Sequence, residues 1–289
     1  MTQYGKVNPA RIRDFGQLRY AMRSVFMNAP FVRNLIVVVS NKHTQTPSWL
    51  DTTYPRVRVV EHQEIWENSS YLPSMNSEAI EWALLNIKGL APLYLYFNDD
   101  FAIQTKLNLS SIWPGHDQYV VWNAWEAPRE ENQVGDTYGK SLAFVRKLFD
   151  QRYGKIKDRK VASHVPILFD RLVLEKIKQD FPSVIEDMFR EKPFRTNHGM
   201  QMQFAYQQYI RHHYSYRNAP DHHMYFHELN VDYEKNAIKF NTIKNNPRQF
   251  ICLQDGFGIN LHPSEHIVQQ IRSFYEDLFP AKAPWEKDG

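Results

Sequence analysis

Apolar residues recur at helical spacing in some segments of the chain and form short continuous runs in others. In the segment RDFGQLRYAMRSVFMNAP, Leu18, Met22 and Val25 share one face of a helix, and Asp14 with Gln17 matches a capping box. The next segment, NLIVVVSN, is a β-branched run without alternation, as in a strand covered on both faces. The chain therefore begins with a helix that leads into a buried strand.

Alternating elements continue through the first hundred residues. The patterns predict a second strand in PRVRVVEH, a helix in NSEAIEWALLNIKGL that stops at Gly89, and a third strand in LYLYF. The order helix, strand, strand, helix, strand predicts an α/β fold with an open, mostly parallel sheet. We assign this core to residues 11–135.

From about residue 139 the pattern becomes mainly helical. Residues 136–289 are therefore predicted to form a helical half with one returning strand, RQFICLQD, that completes the active site. The polar stretch from His212 to Lys244 is poorly periodic and predicts an irregular insertion. The helical segments are SLAFVRKLFD, ILFDRLVLEKIKQDF, MQMQFAYQQYIRHHY and SEHIVQQIRSFYEDLF.

Bulk composition argues against several classes of protein. Lys and Arg total 35 against 32 acids, and a net charge of +3 is too small to indicate nucleic acid or a membrane surface as a partner. No run approaches the ~18 consecutive apolar residues of a membrane-spanning helix. The single cysteine, Cys252, excludes a disulfide framework and a zinc site built from cysteines. Its apolar surroundings, FICL, predict a small buried hydrophobic residue.

Two adjacent acids interrupt an apolar run in LYLYFNDDFAI. Asp99 and Asp100 follow a predicted strand, and ligands of open α/β sheets bind beyond the carboxyl ends of strands. Two carboxylates at that place can hold a divalent cation, and the cation can neutralise a diphosphate. A turn in which Asn98 and Asp99 cap the next segment explains the same residues. The residue types alone leave both interpretations open.

An ordered set of motifs resembles the Stealth family of sugar-phosphate transferases, which includes bacterial capsule polymerases and the lysosomal-enzyme N-acetylglucosamine-1-phosphotransferase. The family's second conserved block is similar to RIRDFGQLRYAMRS, PSWL, PRVRVVEH, LPSMNSEAIE and YFNDDF. Its third block is similar to SHVPILFDRLVLEKIKQDFP and NHGMQMQFAY, and its fourth to KNNPRQFICLQD. The resemblance implies a nucleotide-sugar-transferase-like sheet.

The resemblance also implies a reaction. Such an enzyme transfers a sugar-1-phosphate from a nucleotide-sugar, here resembling UDP-N-acetylglucosamine, to a hydroxyl of a glycan and releases a nucleoside monophosphate. It implies Mg²⁺ or Mn²⁺ as a cofactor, and a homodimer is among the expected assemblies. The expected location is the Golgi lumen for a eukaryotic chain and the cytoplasm for a bacterial one. The alternatives are an inactive glycan-binding or partner-binding subunit and a metal-dependent glycosyltransferase.

Roles for individual residues follow from the same resemblance. Asp99 and Asp100 are the expected catalytic acids, and Asp100 and Asp255 are the expected metal ligands. His198 stands where the family carries a histidine and is the expected general base. The arginines could clamp phosphate or form ion pairs on a helix surface. The residues expected to bind substrate are Asn76, Arg19, Arg23, His164 and Arg171.

The sequence departs from the family pattern at three places. The family's first block, a hydrophobic strand followed by a Trp-Val-Asn-Gly turn and an acid, is expected before Arg11 and is not in this sequence. On that account we expect weak binding of nucleotide-sugar or slow turnover. Gln201 stands where family members usually carry Asp, and Leu85 where they usually carry His. Both substitutions bear on turnover.

Overall fold

The computed structural model of the protein describes residues 9, 13–115, 118–191, 193–219, 223–258 and 262–287. The helices in these ranges are α1 (Gln17–Asn28), α2 (Lys42–Gln45), α3 (His62–Ile65), α4 (Ser77–Ala83), α5 (Leu109–Ile112), α6 (Thr137–Tyr153), α7 (Arg171–Asp180), α8 (Pro182–Arg190), α9 (Met202–His213), α10 (Tyr233–Asn245) and α11 (Glu265–Leu278). The strands are β1 (Leu35–Val39), β2 (Val57–Glu61), β3 (Leu93–Tyr96), β4 (Phe101–Ile103), β5 (Tyr119–Val121), β6 (Asn123–Glu126), β7 (Lys160–Ala162), β8 (Ile167–Asp170), β9 (Tyr216–Asn218), β10 (Met224–Glu228) and β11 (Phe250–Gln254).

The first elements lie where the hydrophobic pattern predicts them, with one correction at the start of α1. Asp14 does not cap this helix, because its Oδ1 accepts a hydrogen bond from the backbone N–H of Gly16 at 2.7 Å. Gly16 has a left-handed backbone conformation, with φ 89°, and the helix begins at Gln17. The predicted capping box is therefore a turn before the helix.

The α/β class is confirmed, whereas the predicted single, mostly parallel sheet is not found among the described residues. The strands form five small sheets. The pairs β1–β2, β5–β9 and β10–β11 are parallel, and the pairs β3–β8, β4–β11 and β6–β7 are antiparallel. A parallel neighbour needs a crossover of roughly a dozen residues. The link from β3 to β4 is much shorter, and the chain passes directly into another sheet.

The described residues of the second half contain five strands where the sequence predicts one. The residues ILFD, predicted as helix, form β8, and α7 begins after Asp170, whose Oδ1 accepts from the backbone N–H of Leu172 at 2.9 Å. The stretch predicted as an irregular insertion contains β10 and most of α10. Pairing of β10 with β11 stabilises this stretch, and such pairing is not visible in the periodicity of one segment.

Strands from residues 11–135 pair with strands from residues 136–289. In four of the five sheets that the described residues form, the paired strands come from both halves: β3 pairs with β8, β4 with β11, β5 with β9 and β6 with β7. Trp82 of α4 and Phe169 of β8 are buried in one hydrophobic core. The division at residue 135 stays a prediction. Within the described ranges, no helix combines the length and the apolar character needed to cross a membrane.

Candidate active site

Asp99 and Asp100, which we call the acid pair, lie on a tight turn between β3 and β4. The backbone N–H of Phe101 donates to the carbonyl of Asn98 at 3.2 Å, and the carbonyl of Asp100 accepts from the backbone N–H of Leu253 in β11 at 3.1 Å. The turn therefore fixes both aspartates against the sheet of β4 and β11. The turn expected from the sequence is present, but the Asn98 side chain contacts Tyr96 and His164, and the cap expected from Asn98 and Asp99 stays a prediction.

Asp100 lies in a group with His164 and Cys252. The Cys252 thiol donates to Oδ2 of Asp100 at 3.4 Å, and Nδ1 of His164 lies 3.3 Å from the same sulfur. Within the described part of the chain, Oδ1 of Asp100 is buried and has no hydrogen-bond partner. Burial raises the pKa of Asp100 to about 7, and the charge of Asp99 adds to this effect. The site thus contains a carboxylate that is poorly stabilised by its surroundings.

A hydrogen-bonded chain connects His164 to a further acid, Glu81. Nδ2 of Asn98 lies 3.2 Å from Nε2 of His164, and Oδ1 of Asn98 accepts from the Tyr96 hydroxyl at 2.5 Å. That hydroxyl also lies 3.1 Å from Oε1 of Glu81. Burial raises the pKa of Glu81 to about 8, and the neighbouring Glu78 raises it further. Through Cys252 the chain continues from His164 to Asp100, so an acid with a raised pKa lies at each end.

Glu78 forms a second buried position on α4. Nε2 of Gln201 donates to Oε1 of Glu78 at 2.6 Å, while Oε2 has no hydrogen-bond partner in the described ranges. A Cβ atom on Gly199 would lie 1.5 Å from that Oε2, so any other residue there would have to displace the Glu78 carboxylate. Burial raises the pKa of Glu78 to about 7. Where the family usually carries Asp, Gln201 therefore supplies a donor to Glu78 in place of a further negative charge.

Arg195 supplies positive charge to the same region. Burial is the main cause of the raised pKa values of Glu78 and Glu81, and the charge of Arg195 opposes it. Burial lowers the pKa of His164 to about 4, and the charge of Arg195 lowers it further. Arg195 also lines a cavity of about 340 Å³. The other lining residues are Asp136, Thr137, Tyr138 and Phe194.

Two side chains of this region lie in a concave part of the surface. Asp99 and Tyr138 are exposed to solvent, yet desolvation by the surrounding protein is still the largest influence on both pKa values. It raises the pKa of Asp99 above its ordinary value and that of Tyr138 to about 12. A side chain that is open to water and also crowded by protein atoms lies in a concavity, where a ligand can reach it.

The sequence analysis did not identify Glu81 and Arg195 as site residues. Glu81 lies in the predicted helix NSEAIEWALLNIKGL, where a glutamate is typical of a solvated face. Arg195 precedes His198 by three residues in FRTNHGMQ, a segment without clear periodicity. The short distance of Arg195 from the histidine motif was the available signal.

His198 and Arg171 lie in more open surroundings. The His198 side chain is 59% exposed, its Nε2 lies 3.7 Å from Oε1 of Glu131, and its ring centroid lies 4.9 Å from that of Phe144. Arg171 forms a half-exposed ion pair of 2.8 Å with Glu175 on its own helix. The predicted roles of both residues, general base and substrate binding, stay predictions.

Arg19 and Arg23 lie beside the C-terminal residues of the chain. The Arg23 guanidinium donates to Glu286 at 2.7 and 2.9 Å and to Glu276 at 2.8 Å, and its side chain is only 3% exposed. Arg19 lies 3.7 Å from Glu286 and stacks over the ring of Trp49 at 5.0 Å. A phosphate at Arg23 would have to displace two carboxylates, and its substrate role stays a prediction.

Asp255 and Asn76 are each engaged in local contacts. Arg13 donates to both carboxylate oxygens of Asp255, at 2.6 and 3.0 Å, so a metal would compete with this ion pair. Oδ1 of Asn76 caps α4 by accepting from the backbone N–H of Glu78 at 3.1 Å. Nδ2 of Asn76 is buried without a hydrogen-bond partner among the described residues. The metal role of Asp255 and the substrate role of Asn76 stay predictions.

Comparison with known proteins places this geometry in a family. Stealth protein conserved regions 2, 3 and 4 match residues 11–120, 163–212 and 241–289, respectively. An exopolysaccharide phosphotransferase of Streptomyces coelicolor is 30% identical, over 97% of this chain and 46% of that protein. The exopolysaccharide phosphotransferase CpsY of Mycobacterium tuberculosis is 26% identical, over 99% of this chain and 54% of that protein.

Two further similarities are more limited. The N-acetylglucosamine-1-phosphotransferase subunits alpha/beta of Mus musculus are 37% identical over 40% of this chain and 9% of that protein. A crystal structure of galactosyltransferase LgtC with donor and acceptor sugar analogues has a TM-score of 0.44 and 10% identity, over 94% of this chain and 92% of that one. At that TM-score the structural likeness carries no argument. The chain spans about half the length, or less, of the curated relatives that it matches.

The three conserved regions occur in the order predicted from the motifs and together span more than half of the chain. They contain the acid pair, His164, Arg195 and Cys252. The chain therefore belongs to the Stealth family.

Proposed function

We propose that this protein transfers a sugar-1-phosphate from a nucleotide-sugar to a hydroxyl of a glycan and releases a nucleoside monophosphate. The relatives named as phosphotransferases support this reaction class. The observation that carries the proposal is a group of four acids with raised pKa values, Glu78, Glu81, Asp99 and Asp100, of which Glu78 and Glu81 also lie within the influence of the Arg195 charge. We call these four side chains the cleft acids. Burial raises the pKa of each of them, so they are suited to binding a cation or holding a proton.

A divalent cation fits the acid pair. Oδ1 of Asp100 is buried without a hydrogen-bond partner in the described ranges, and Asp99 and Asp100 raise the local negative charge together. A cation held by these carboxylates would relieve both unfavourable conditions. When bound, Mg²⁺ or Mn²⁺ would stabilise negative charge on the diphosphate of the donor. Asp255 could join this site only by releasing Arg13.

Side chains of this site would bind the phosphate and accept the proton. Arg195 would bind phosphoryl oxygens by charge-assisted hydrogen bonds. The acceptor oxygen attacks the phosphorus next to the donor sugar, the bond from that phosphorus to the nucleoside monophosphate breaks, and the acceptor proton passes to a base. We propose His164 as this base, because it is neutral and is hydrogen-bonded into the chain that joins the cleft acids. His198, the base expected from the family position, is the alternative.

The released product tests the reaction class. The protein is incubated with UDP-N-acetylglucosamine, Mg²⁺ and a panel of oligosaccharides, and the nucleotides are separated by anion-exchange chromatography. We expect UMP in a stoichiometric ratio to a phosphodiester-linked product. UDP would indicate an ordinary glycosyltransferase, and donor binding without turnover would indicate a binding subunit. The donor sugar, the acceptor and the location in the cell stay predictions.

Asp100→Asn tests the acid pair in the same assay. The substitution keeps the shape of the side chain and removes its charge, and we expect turnover to fall by roughly 10²- to 10³-fold, as for loss of one electrostatic contact to a transition state. Asp187→Asn is the matched control, because Asp187 is an exposed acid on α8. Full activity of Asp100→Asn in chelator-treated buffer would contradict the cation site.

A further inference from the structure

We propose that Asp100, His164 and Cys252 form a binding site for a thiophilic divalent cation, with Zn²⁺ or Cd²⁺ as its probes. One ligand atom from each residue lies within 4.8 Å of the other two. This set differs from the all-oxygen site that Mg²⁺ prefers, although both would use Asp100. The inference rests on the positions of these three side chains and not on the proposed transferase activity.

The spacing of the ligand atoms suits a tetrahedral ion. Bonds of 2.0–2.3 Å from zinc to nitrogen, oxygen and sulfur place neighbouring ligand atoms roughly 3.4–3.6 Å apart. The Cys252 sulfur lies 3.3 Å from Nδ1 of His164 and 3.4 Å from Oδ2 of Asp100. An ion could therefore be held with shifts of only a few tenths of an ångström in these two distances. Three protein ligands would leave the fourth position open to water from the cleft.

Strand pairing holds the ligands in place. Cys252 of β11 pairs with Phe101 of β4 in the antiparallel register, and Asp100 directly precedes that strand. The His164 ring packs edge-on against the Phe101 ring, with centroids 4.7 Å apart. The ligand residues therefore share one rigid part of the fold, which reduces the conformational entropy lost when an ion binds.

Asn98 is suited to orient His164 in the state with an ion. Binding through Nδ1 requires that Nε2 carry the proton and donate it to an acceptor. Nε2 faces the amide of Asn98, which lies 3.2 Å away through Nδ2, and a turn of that amide would present Oδ1 instead. The amide can thus serve the histidine with or without the ion. On binding, the thiol proton of Cys252 passes to solvent, a sulfur–metal bond forms, and no electron is transferred.

The test is a titration of the full chain, freed of metal, in the presence of excess Mg²⁺. Cd²⁺ should produce the ultraviolet absorption band of a cadmium thiolate, and calorimetry should show one Zn²⁺ bound per chain. Cys252→Ser should abolish the band and weaken Zn²⁺ binding by at least tenfold. Asn98→Asp, which supplies only acceptors to Nε2, should preserve the band. His213→Ala removes an exposed histidine outside the cluster and should change neither signal.

His164→Gln is a second variant for the case in which Cys252→Ser does not fold. His164 is only partly buried, so its replacement disturbs the core less. It should also weaken Zn²⁺ binding by at least tenfold, with circular dichroism confirming the fold. Absence of the band in the parent protein, or unchanged Zn²⁺ affinity in His164→Gln, would overturn the inference. A cadmium band without any transferase activity would refute only the proposed function, and Mg²⁺-dependent turnover without a band would refute only this inference.

Discussion

Two regions of this molecule differ in whether their charged side chains have hydrogen-bond partners of opposite charge. The first region, which we call the Arg23 cluster, consists of Arg23, Glu276 and Glu286. There the guanidinium donates to both carboxylates and to the carbonyl of Phe279 at 2.9 Å. The second region contains the cleft acids, where two carboxylate oxygens are buried without partners among the described residues. Only the first region compensates its charges.

The pKa values express this difference. Burial is the largest single influence on the pKa of Glu286 and raises it, but the hydrogen bonds and charge of Arg23, the backbone N–H of Ala283 and the charge of Arg19 together outweigh burial and lower the pKa. Burial raises the pKa of every cleft acid. Ionised Glu286 thus stabilises the fold, whereas ionised cleft acids destabilise it. The contrast indicates that the Arg23 cluster is structural and that the cleft retains unfavourable charge for a ligand.

The largest expected effect is a loss of stability when the Arg23 cluster is broken. Arg23→Met should lower the free energy of unfolding by roughly 3–5 kcal/mol, because it leaves Glu286 buried without its partner. Denaturant-induced unfolding measures this change. Arg190→Met is the control, since Arg190 is exposed and its ion pairs with Glu186 and Asp187 are exposed as well, and it should change stability by less than about 0.5 kcal/mol.

Equal stability of the two arginine variants would break the comparison. If Arg23→Met instead weakened donor binding and left unfolding unchanged, the role of phosphate clamp predicted from the sequence would be correct. Donor affinity measured by calorimetry on both variants separates these outcomes.

A smaller effect is expected when the two candidate bases are exchanged for glutamine. His164→Gln should lower turnover at saturating donor by roughly 10²-fold or more, because a base acts on the proton that leaves in the transition state. His198→Gln, at an exposed position, should lower turnover less. The measurements are turnover and donor affinity for each variant. The reverse order would return the role of base to His198.

The sequence predicts elements that form from local patterns better than elements that depend on partners distant in the sequence. β1, β2 and β3 follow from local apolar runs. β8 and β10 are no shorter than these strands, and they were missed because each adjoins segments of other character. Their pairing partners lie far away in the sequence, and the pattern of one segment does not reveal them.

The site was predicted in part for the same reason. Asp99 and Asp100 were found because a strand end is a local feature. Cys252 was predicted as a buried hydrophobic residue, and its burial is confirmed. Its contacts with His164 and Asp100 were not predicted, because these residues lie 88 and 152 positions away. The pairing of β4 with β11 brings Asp100 to Cys252, and the packing of the His164 ring on Phe101 of β4 adds the histidine.

Replacing Asp100, directly before β4, and Asp255, directly after β11, tests whether the negative charge of each is compensated by its neighbours. Asp100→Asn in metal-free buffer should raise the free energy of unfolding by about 0.5–2 kcal/mol, because it removes a poorly stabilised carboxylate. Asp255→Asn should lower it by about 1–3 kcal/mol, because Asp255 accepts two hydrogen bonds from Arg13. Stability changes of the same sign would contradict the comparison.

The smallest expected effect is the pH dependence of the stability that Asp100→Asn gains over the parent protein. The pKa of Asp100 is about 7 in the folded protein and about 4 in an unfolded chain, so the folded state binds more protons between these values. The contribution of Asp100 to stability is therefore fully present below about pH 4 and is lost as the pH rises to about 7. The advantage of Asp100→Asn should be least near pH 4, grow with pH and level off above about pH 7. Chemical unfolding of both proteins across this range, without metal, measures the difference, and an advantage that shrinks with rising pH would show that Asp100 is compensated after all.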